Sequence, residues 1–482
     1  MKNDLTSPNN FTGMKNSDSS ETPGRRHFLK QLGRGVSSVA ALSALSSLPA
    51  WSRGSSFSYD RARQSAEDIV SGSDDIAMTY RTNRHMQDRV SLLGYGMMRL
   101  PQRDGTVDQE MVNQEVDYAL AHGVNYFDTA PSYGKSEEVT GIALSRHRRD
   151  TYYLATKASD IRRYGLADGQ QMLHNSLDRL RTTYIDYYLL HAVGLGGMDK
   201  LRLRFLDNGL LDWLCEQRDK GVIRNLGFSY HGDVRVFDYL LAHNDKYHFN
   251  FVQIEMNYID WRHASTQRNS WKHDADAEYL YAKCAKLGIH TVVMEPLLGG
   301  RLAKVDSQYA QMMKQIRPGD TPARWALRWV GSHPNVLVTL SGMTTMDVLR
   351  ENVATFSPLV PCTAAETALL SRLADAMAGT PVVSCTACRY CMPCPFGVNI
   401  PGNFSVYNEA VNLHQLPLPE TTASDYQERL QSFRRNYQAQ LKPAEWATQC
   451  RDCEACLPKC PQQIRIPNQL ARIREMLPET SA

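Results

Sequence analysis

From about Met78 to Ala378, short runs of β-forming residues alternate with longer amphipathic segments. This regularity predicts an α/β chain whose eight parallel strands close into a (β/α)8 barrel. Two further observations complete the fold class. No Gly-rich dinucleotide turn follows the first strand, because Gly94-Tyr95-Gly96 has the wrong continuation, and this disfavours the runner-up, an open doubly wound sheet. Beyond Pro381 eight cysteines fall in two short runs, which predicts a separate, small, mostly helical C-terminal module over 379–482.

The elements follow in order. Met1 to Gly24 is rich in Asn, Ser, Thr and Asp and cannot bury enough apolar surface to offset ordering entropy. Arg25-Arg26-His27-Phe28-Leu29-Lys30 then leads into a weakly apolar run from Val36 to Leu48 and the small-residue stretch Pro49-Ala50. A basic region, a short apolar region and a candidate cleavage point form an export signal over residues 1–50. The paired arginines resemble the twin-arginine type and imply a periplasmic destination, with the cytoplasm as the alternative. Residues 51–77 read as a flexible tether of Ser, Asp and Arg.

Within 78–378 the predicted strands are Val90–Gly96, Asn125–Asp128, Tyr152–Lys157, Ile185–His191, Ile223–Phe228, Phe251–Asn257, His290–Glu295 and Val336–Leu340. Helical patterns between them include Asp108–His122, Asp168–Arg181, Leu210–Lys220, Asp276–Leu287 and Thr345–Val353. In Met172, Leu173, Leu177 and Leu180 the apolar spacing of three and four places one helix face against a core.

Composition sets the outer limits. Apolar residues make up 42% of the 482 and charged residues 22%, which excludes wholesale disorder and fibrous architectures. Lys plus Arg number 54 against 51 Asp plus Glu, a net charge of +3. Such a balance provides no field for a polyanion, so nucleic acid is not expected as a partner. No stretch reaches the ~18 uninterrupted apolar residues of a membrane span.

Barrel enzymes carry their chemistry at the C-terminal ends of strands. There the second, third and fourth predicted strands place Asp128 and, just beyond it, Tyr133, then Lys157, then His191. Hydride transfer to a carbonyl builds charge on oxygen and calls for a nearby proton donor. A tyrosine with pKa ~10 is a weak acid unless its phenolate is stabilised, and an ammonium beside it lowers that pKa. Tyr133 is therefore the candidate proton donor, Lys157 its activator, Asp128 the group that orients Lys157, and His191 the polarising donor to the substrate oxygen.

These four residues, with Gly227-Phe228-Ser229, Gln253-Ile254-Glu255-Met256-Asn257, Glu295-Pro296-Leu297-Leu298-Gly299-Gly300, Leu340-Ser341-Gly342-Met343 and Glu351-Asn352, resemble the aldo/keto reductase family across residues 78–378. The resemblance implies a nicotinamide cofactor, NAD or NADP. Ser229 and Gln253 would hold its carboxamide. Pro296, Leu297 and Gly299 would lie along it, and Ser341, Gly342, Met343 and Asn352 would contact the adenosine half. Tyr230 stands where most relatives have Asn, and Met294 where many have an aromatic ring. Gly342 to Leu349 contains no Lys or Arg for a 2′-phosphate, which tilts the reading toward NAD.

The cysteine runs are Cys385-x2-Cys388-x2-Cys391-x2-Cys394-Pro395 and Cys450-x2-Cys453-x2-Cys456-x3-Cys460-Pro461. Three cysteines at steps of three wrap one face of a cuboidal cluster, and in two-cluster ferredoxins the remote Cys ligates the other cluster. The expectation is one 4Fe–4S cluster on Cys385, Cys388, Cys391 and Cys460, and a second on Cys450, Cys453, Cys456 and Cys394. Zinc or disulfides would not explain two triple runs each closed by Cys-Pro. The remaining Cys215, Cys284 and Cys362 read as inert thiols.

Together the two parts resemble the iron–sulfur-containing branch of the aldo/keto reductases. The expected function is an oxidoreductase acting on a small carbonyl or alcohol substrate, its clusters either bracing the module or connecting the barrel to an outside redox protein or quinone. The alternative is a non-catalytic electron carrier or redox-sensing subunit using the barrel as a docking scaffold. Gly194–Asp199 and Asp260–Lys272 are the loops expected to line the substrate pocket.

Overall fold

Eight parallel strands close into a barrel in the computed structural model, which describes residues 78–159, 165–268, 275–417 and 423–477. The signal and tether expected over residues 1–77 lie outside the described residues, as do 269–272 of the second expected pocket loop. The strands are β1 (Leu93–Gly96), β2 (Tyr126–Asp128), β3 (Tyr153–Ala158), β4 (Ile185–Val193), β5 (Ile223–Tyr230), β6 (Phe251–Glu255), β7 (His290–Met294) and β8 (Val336–Ser341). Each pairs with its sequence neighbours, and β8 closes on β1 through Thr339 opposite Leu93 and Ser341 opposite Tyr95.

Every residue of β4 is buried, as befits a parallel strand covered on both faces. The interior is filled by Tyr126, Ala155, Tyr187, Leu189, Phe251, Val292, Val338 and Leu340. Gly94 makes the closure fit. A Cβ there would lie 2.5 Å from Val338 Cγ1 and 3.2 Å from the Tyr126 ring, so the space a side chain would take is given to the tyrosine.

After each strand a helix returns along the outside: α1 (Gln109–Ala121), α2 (Ser136–Leu144), α3 (Leu166–Leu180), α4 (Leu210–Asp219), α5 (Val234–Ala242), α6 (Ala277–Lys286), α7 (Pro322–Gly331) and α8 (Met346–Phe356). Local chemistry marks their starts. Asp108 caps α1 by accepting from Met111 N, and Thr321 caps α7 ahead of Pro322. The expected strand Val90–Gly96 is divided. Residues Arg89–Ser91 turn back antiparallel against Tyr80–Thr82, and the barrel strand begins at Leu93. This hairpin seals the N-terminal end, where Arg81 donates to the carbonyls of His333, Val336 and Gly331.

Helix α9 (Ala364–Ala378) leads to the cysteine module, built on α10 (Ile400–Asn412), α11 (Ala423–Gln440) and α12 (Ile466–Glu475). Phe404, Tyr407, Phe433, Tyr437, Trp446, Leu470 and Ile473 form its core, against which Cys385, Cys394, Cys450 and Cys456 pack. The described residues of the barrel and module fall in a single compact unit. Among the described residues no helix is long and apolar enough to cross a membrane.

Candidate active site

Asp128 ends β2, and the turn that follows brings Tyr133 back over the barrel mouth, where its backbone N–H donates to Ala130 O at 3.0 Å. Lys157 comes from β3 and His191 from β4, both buried. Lys157 Nζ donates to Asp128 Oδ1 at 2.6 Å and to Thr129 O at 2.8 Å, and stands 5.0 Å from the centre of the Tyr133 ring. The Tyr133 and His191 rings meet edge to face with centroids 5.9 Å apart. Three neighbouring strand ends thus bring the four residues to one point.

Burial dominates the electrostatics. It raises the Asp128 carboxyl against the pull of Lys157, and lowers the Lys157 ammonium against the pull of Asp128. Burial, then the charge of Lys157, depresses His191 well below the usual imidazole range, so its ring is neutral at neutral pH. Its Nδ1 is 2.8 Å from Ser159 Oγ. The phenol departs from the sequence expectation. Tyr133 is pushed well above its ordinary value by burial and by the nearby Tyr390, with Asp128 and Cys388 adding to the rise. Lys157 is committed to Asp128 and the Thr129 carbonyl instead of the phenol oxygen.

One cavity of about 240 Å³ collects these groups. Asp128, Tyr133 and His191 line it together with Gln253, Met294, Pro296, Leu297, Gly299, Ser341 and Gly342. Gln253 suits an amide ligand. It is buried, and its Oε1 has no hydrogen-bond partner, a state that costs free energy until a donor arrives. Three other expected cofactor residues are placed elsewhere. Ser229 Oγ accepts from Ala192 N at 2.9 Å. Met343 is buried, its carbonyl accepting from Tyr95 Oη at 2.8 Å. Asn352 donates to Ser341 Oγ at 2.9 Å, supporting that residue from behind. Tyr230 is buried and donates to the Gly232 carbonyl. Neither expected pocket loop contributes a described residue to the cavity.

The residues that sequence reasoning misses come from the cysteine module as well as from the barrel. Thr386, Cys388, Tyr390, Pro461 and Gln462 line the same cavity, with Arg99, His231 and Glu255 from the barrel. Arg99 donates to the Thr386 carbonyl, Gln462 donates to Glu255 Oε1 at 2.6 Å in a buried contact, and Tyr390 Oη is 3.3 Å from Ser132 Oγ. A Cβ on Gly299, whose φ is +66°, would lie 2.6 Å from the Thr386 Cα, so the module's backbone rests directly on this loop.

The cysteines gather in two sets. Burial, then the neighbouring thiols, raises Cys385, Cys388 and Cys391, and the thiols facing these three include Cys460. Cys456 faces Cys450, Cys453 and Cys394, and Cys450 faces Cys394. Among the described residues no three metal-binding side chains converge as ligands of a single ion would. The Ala387 N–H points at Cys385 Sγ from 3.4 Å. Four thiols per set and an amide donor to sulfur fit a cuboidal iron–sulfur cluster. Burial pushes the outlying Cys284 to about 12 and Cys362 to about 11, away from thiolate chemistry.

Comparison with known proteins agrees with this geometry. The aldo/keto reductase family profile matches residues 92–373, and a 4Fe-4S dicluster domain profile matches residues 384–464. The chain belongs to the aldo/keto reductase family and is an oxidoreductase carrying a C-terminal 4Fe-4S dicluster domain. Protein tas of Escherichia coli is 28% identical over 330 residues, covering 57% of this chain and 92% of that one. D-arabinose 1-dehydrogenase of Saccharomyces cerevisiae is 39% identical over 125 residues, covering 24% of this chain and 35% of the yeast protein. The holo form of aldo-keto reductase AKR11C1 from Bacillus halodurans shares the fold, with a TM-score of 0.50 at 24% identity over 62% of this chain and 97% of its own.

Proposed function

We propose that this protein reduces a small carbonyl compound, or oxidises the corresponding alcohol, with a nicotinamide cofactor bound at the barrel mouth. The observation that carries this reading is the convergence of Tyr133, His191 and the Asp128–Lys157 pair on a cavity that also holds the unpartnered Gln253 Oε1. When bound, the cofactor supplies or accepts a hydride. Gln253 would hold its carboxamide, and Pro296, Leu297, Gly299, Ser341 and Gly342 would lie along it.

The chain's own residues supply the proton chemistry. Tyr133 is protonated at neutral pH and donates its hydroxyl proton to the developing alkoxide. Neutral His191, its Nδ1 within hydrogen-bond distance of Ser159 Oγ, can polarise the carbonyl in the tautomer that carries its proton on Nε2. The Asp128–Lys157 pair keeps a positive charge near the phenolate left behind. The cofactor preference stays open between NAD and NADP. Gly342 to Leu349 lacks a cation, yet the Arg99 guanidinium approaches Gly342 from β1's loop while engaged with Thr386 and, at 3.8 Å, Glu295.

The two cysteine sets would each hold a 4Fe–4S cluster, on Cys385, Cys388, Cys391 and Cys460 and on Cys450, Cys453, Cys456 and Cys394. Their role is structural support or electron exchange with an outside redox protein or quinone. Residues Arg25 to Ala50 support export by the twin-arginine route, which carries folded, cofactor-bearing proteins to the periplasm. Anaerobic purification, a visible absorbance spectrum and titration with NADH and NADPH test the reading. The expected result is a brown protein that binds a reduced nicotinamide and loses carbonyl reduction in Tyr133→Phe with its spectrum intact. A colourless protein with stoichiometric zinc, or undiminished turnover in Tyr133→Phe, would overturn it.

A further inference from the structure

Three carboxylates, Asp128, Glu255 and Glu295, line the cavity at the barrel mouth, and among the described residues Arg99 is the only lysine or arginine that does. Asp128 is already matched by Lys157. A nicotinamide dinucleotide brings a negatively charged diphosphate, and taking such a group out of water without a cation is costly. Arg99 lies just past the end of β1, its side chain partly exposed. Its Nη2 donates to the Thr386 carbonyl and stands 3.8 Å from Glu295 Oε1. The other oxygen of Glu295 accepts from the Gly299 N–H at 2.6 Å. A guanidinium has five N–H donors, and those on Nε and Nη1 make no hydrogen bond among the described residues. Nη1 is aimed at the end of β8, where a Cβ on Gly342 would lie 3.8 Å from it and 3.7 Å from Arg99 Cβ.

That position falls between two stretches of the site. Pro296 to Gly299 is read as lying along the cofactor, with Gln253 on its carboxamide, and Ser341 to Met343 as meeting the adenosine half. The group that joins the two halves of a dinucleotide is the diphosphate. We propose that Arg99 is a cofactor-binding residue that holds this diphosphate with its uncommitted donors. The inference rests on the reading of a nicotinamide cofactor at the barrel mouth and names the group that binds its phosphates. A 2′-phosphate would hang from the far end of the adenosine half, not between Gly299 and Gly342. Gly342 also leads into α8 through Thr344, which lines the cavity, so the first amides of that helix add their positive end. One guanidinium then ties the cofactor to the iron–sulfur module through Thr386.

The test uses the anaerobically purified full chain and three probes: NADH, NADPH and ADP-ribose, which keeps the diphosphate and lacks the nicotinamide. Dissociation constants are measured by calorimetry for wild type and Arg99→Gln over a range of KCl concentrations. Arg99→Gln should bind all three about tenfold more weakly, the low end for a hydrogen bond between charged groups at a partly exposed site. Its affinities should also fall less steeply with salt than those of wild type, because a screened charge has been removed. Unchanged affinity for the three probes overturns the proposal. A loss confined to NADPH assigns Arg99 to the 2′-phosphate and overturns it too. A uniform loss with an unaltered salt slope reduces Arg99 to a clamp on Thr386, which is equally fatal.

Should Arg99→Gln lose its cluster absorbance, Arg99→Lys replaces it. Lysine keeps the charge without the planar fork, so all three probes should weaken by about threefold with the salt slope retained, and unchanged affinity again counts against the proposal. Wild type that binds none of the probes sinks the cofactor reading and this assignment together. Wild type that binds them as tightly as its Arg99 variants sinks the assignment alone.

Discussion

Replacing Lys157 by Met isolates the buried ion pair on which the site is built. Lys157 is 1% exposed and Asp128 4% exposed, so the ammonium that donates to Asp128 Oδ1 at 2.6 Å is the main compensation for a carboxylate held away from water. Burial already pushes Asp128 upward and Lys157 is the strongest force against it. Methionine fills a similar volume, so little is lost in packing, and the cost is that of a buried charge deprived of its partner, about 3–5 kcal/mol. At roughly 2 °C per kcal/mol for a domain of this size, the melting temperature should fall by about 6–10 °C. Thermal unfolding followed by far-ultraviolet circular dichroism reads this directly. The double variant Asp128→Asn with Lys157→Met should recover much of the loss, because no unpaired charge remains. Its carbonyl reduction should not recover, because the positive charge beside the phenolate is gone. A single variant costing under about 1 kcal/mol, or a double variant as unstable as the sum of the singles, would refute the reasoning.

Burial alone would raise Glu366, but the hydrogen bonds from Arg317, the Thr363 N–H and Arg328 outweigh it and hold the carboxyl at about 2. A folded-state value below the unfolded ~4.3 adds stability above that pH, up to about 3 kcal/mol, which is lost as pH falls toward 2. Denaturant titrations of wild type and Glu366→Gln should therefore converge across that interval. Gly299→Ala places a Cβ 2.6 Å from the Thr386 Cα at a φ of +66° and should loosen the module from the barrel, seen as faster amide exchange over 384–390, whereas Gly319→Ala, with open space around it, should leave exchange unchanged. Holoprotein should carry about eight irons, and Cys460→Ser should alter the electron paramagnetic resonance signal of the cluster held by the first run, Cys394→Ser that of the second.

Much of the barrel is legible in the sequence because parallel strands buried on both faces are mostly apolar and β-forming, as Ile185 to Val193 are apart from Asp186 and His191. The four residues at the mouth are legible because the C-terminal end of a strand is recognisable once the strand is, and Asp128, Lys157 and His191 lie on or at the end of one. The grouping of Cys460 with the first run and Cys394 with the second is likewise implied by spacing. What stays hidden is whatever depends on distant segments meeting. Arg99 and Thr386 are 287 positions apart, Ser132 and Tyr390 258, and Glu255 and Gln462 207. No local periodicity encodes such contacts, so the roof over the site and the direction of the Tyr133 shift were invisible. The same holds for Arg99 beside Gly342, which no count of cations along Gly342 to Leu349 reveals. The N-terminal hairpin escapes for another reason. Val90 and Leu92 are as apolar as the barrel strand they precede, so a change of pairing partner leaves no mark in composition.

The central claim is that hydride from a nicotinamide, and not an electron from an iron–sulfur cluster, reduces the carbonyl while Tyr133 supplies the proton. Turnover of a panel of aldehydes and ketones with reduced nicotinamide carrying deuterium at its transferring position, followed by mass spectrometry of the alcohols, tests it most directly. One deuterium on the carbinol carbon, abolished in Tyr133→Phe, is the predicted result. Alcohol formed without deuterium, or label transfer undiminished in that variant, would contradict it.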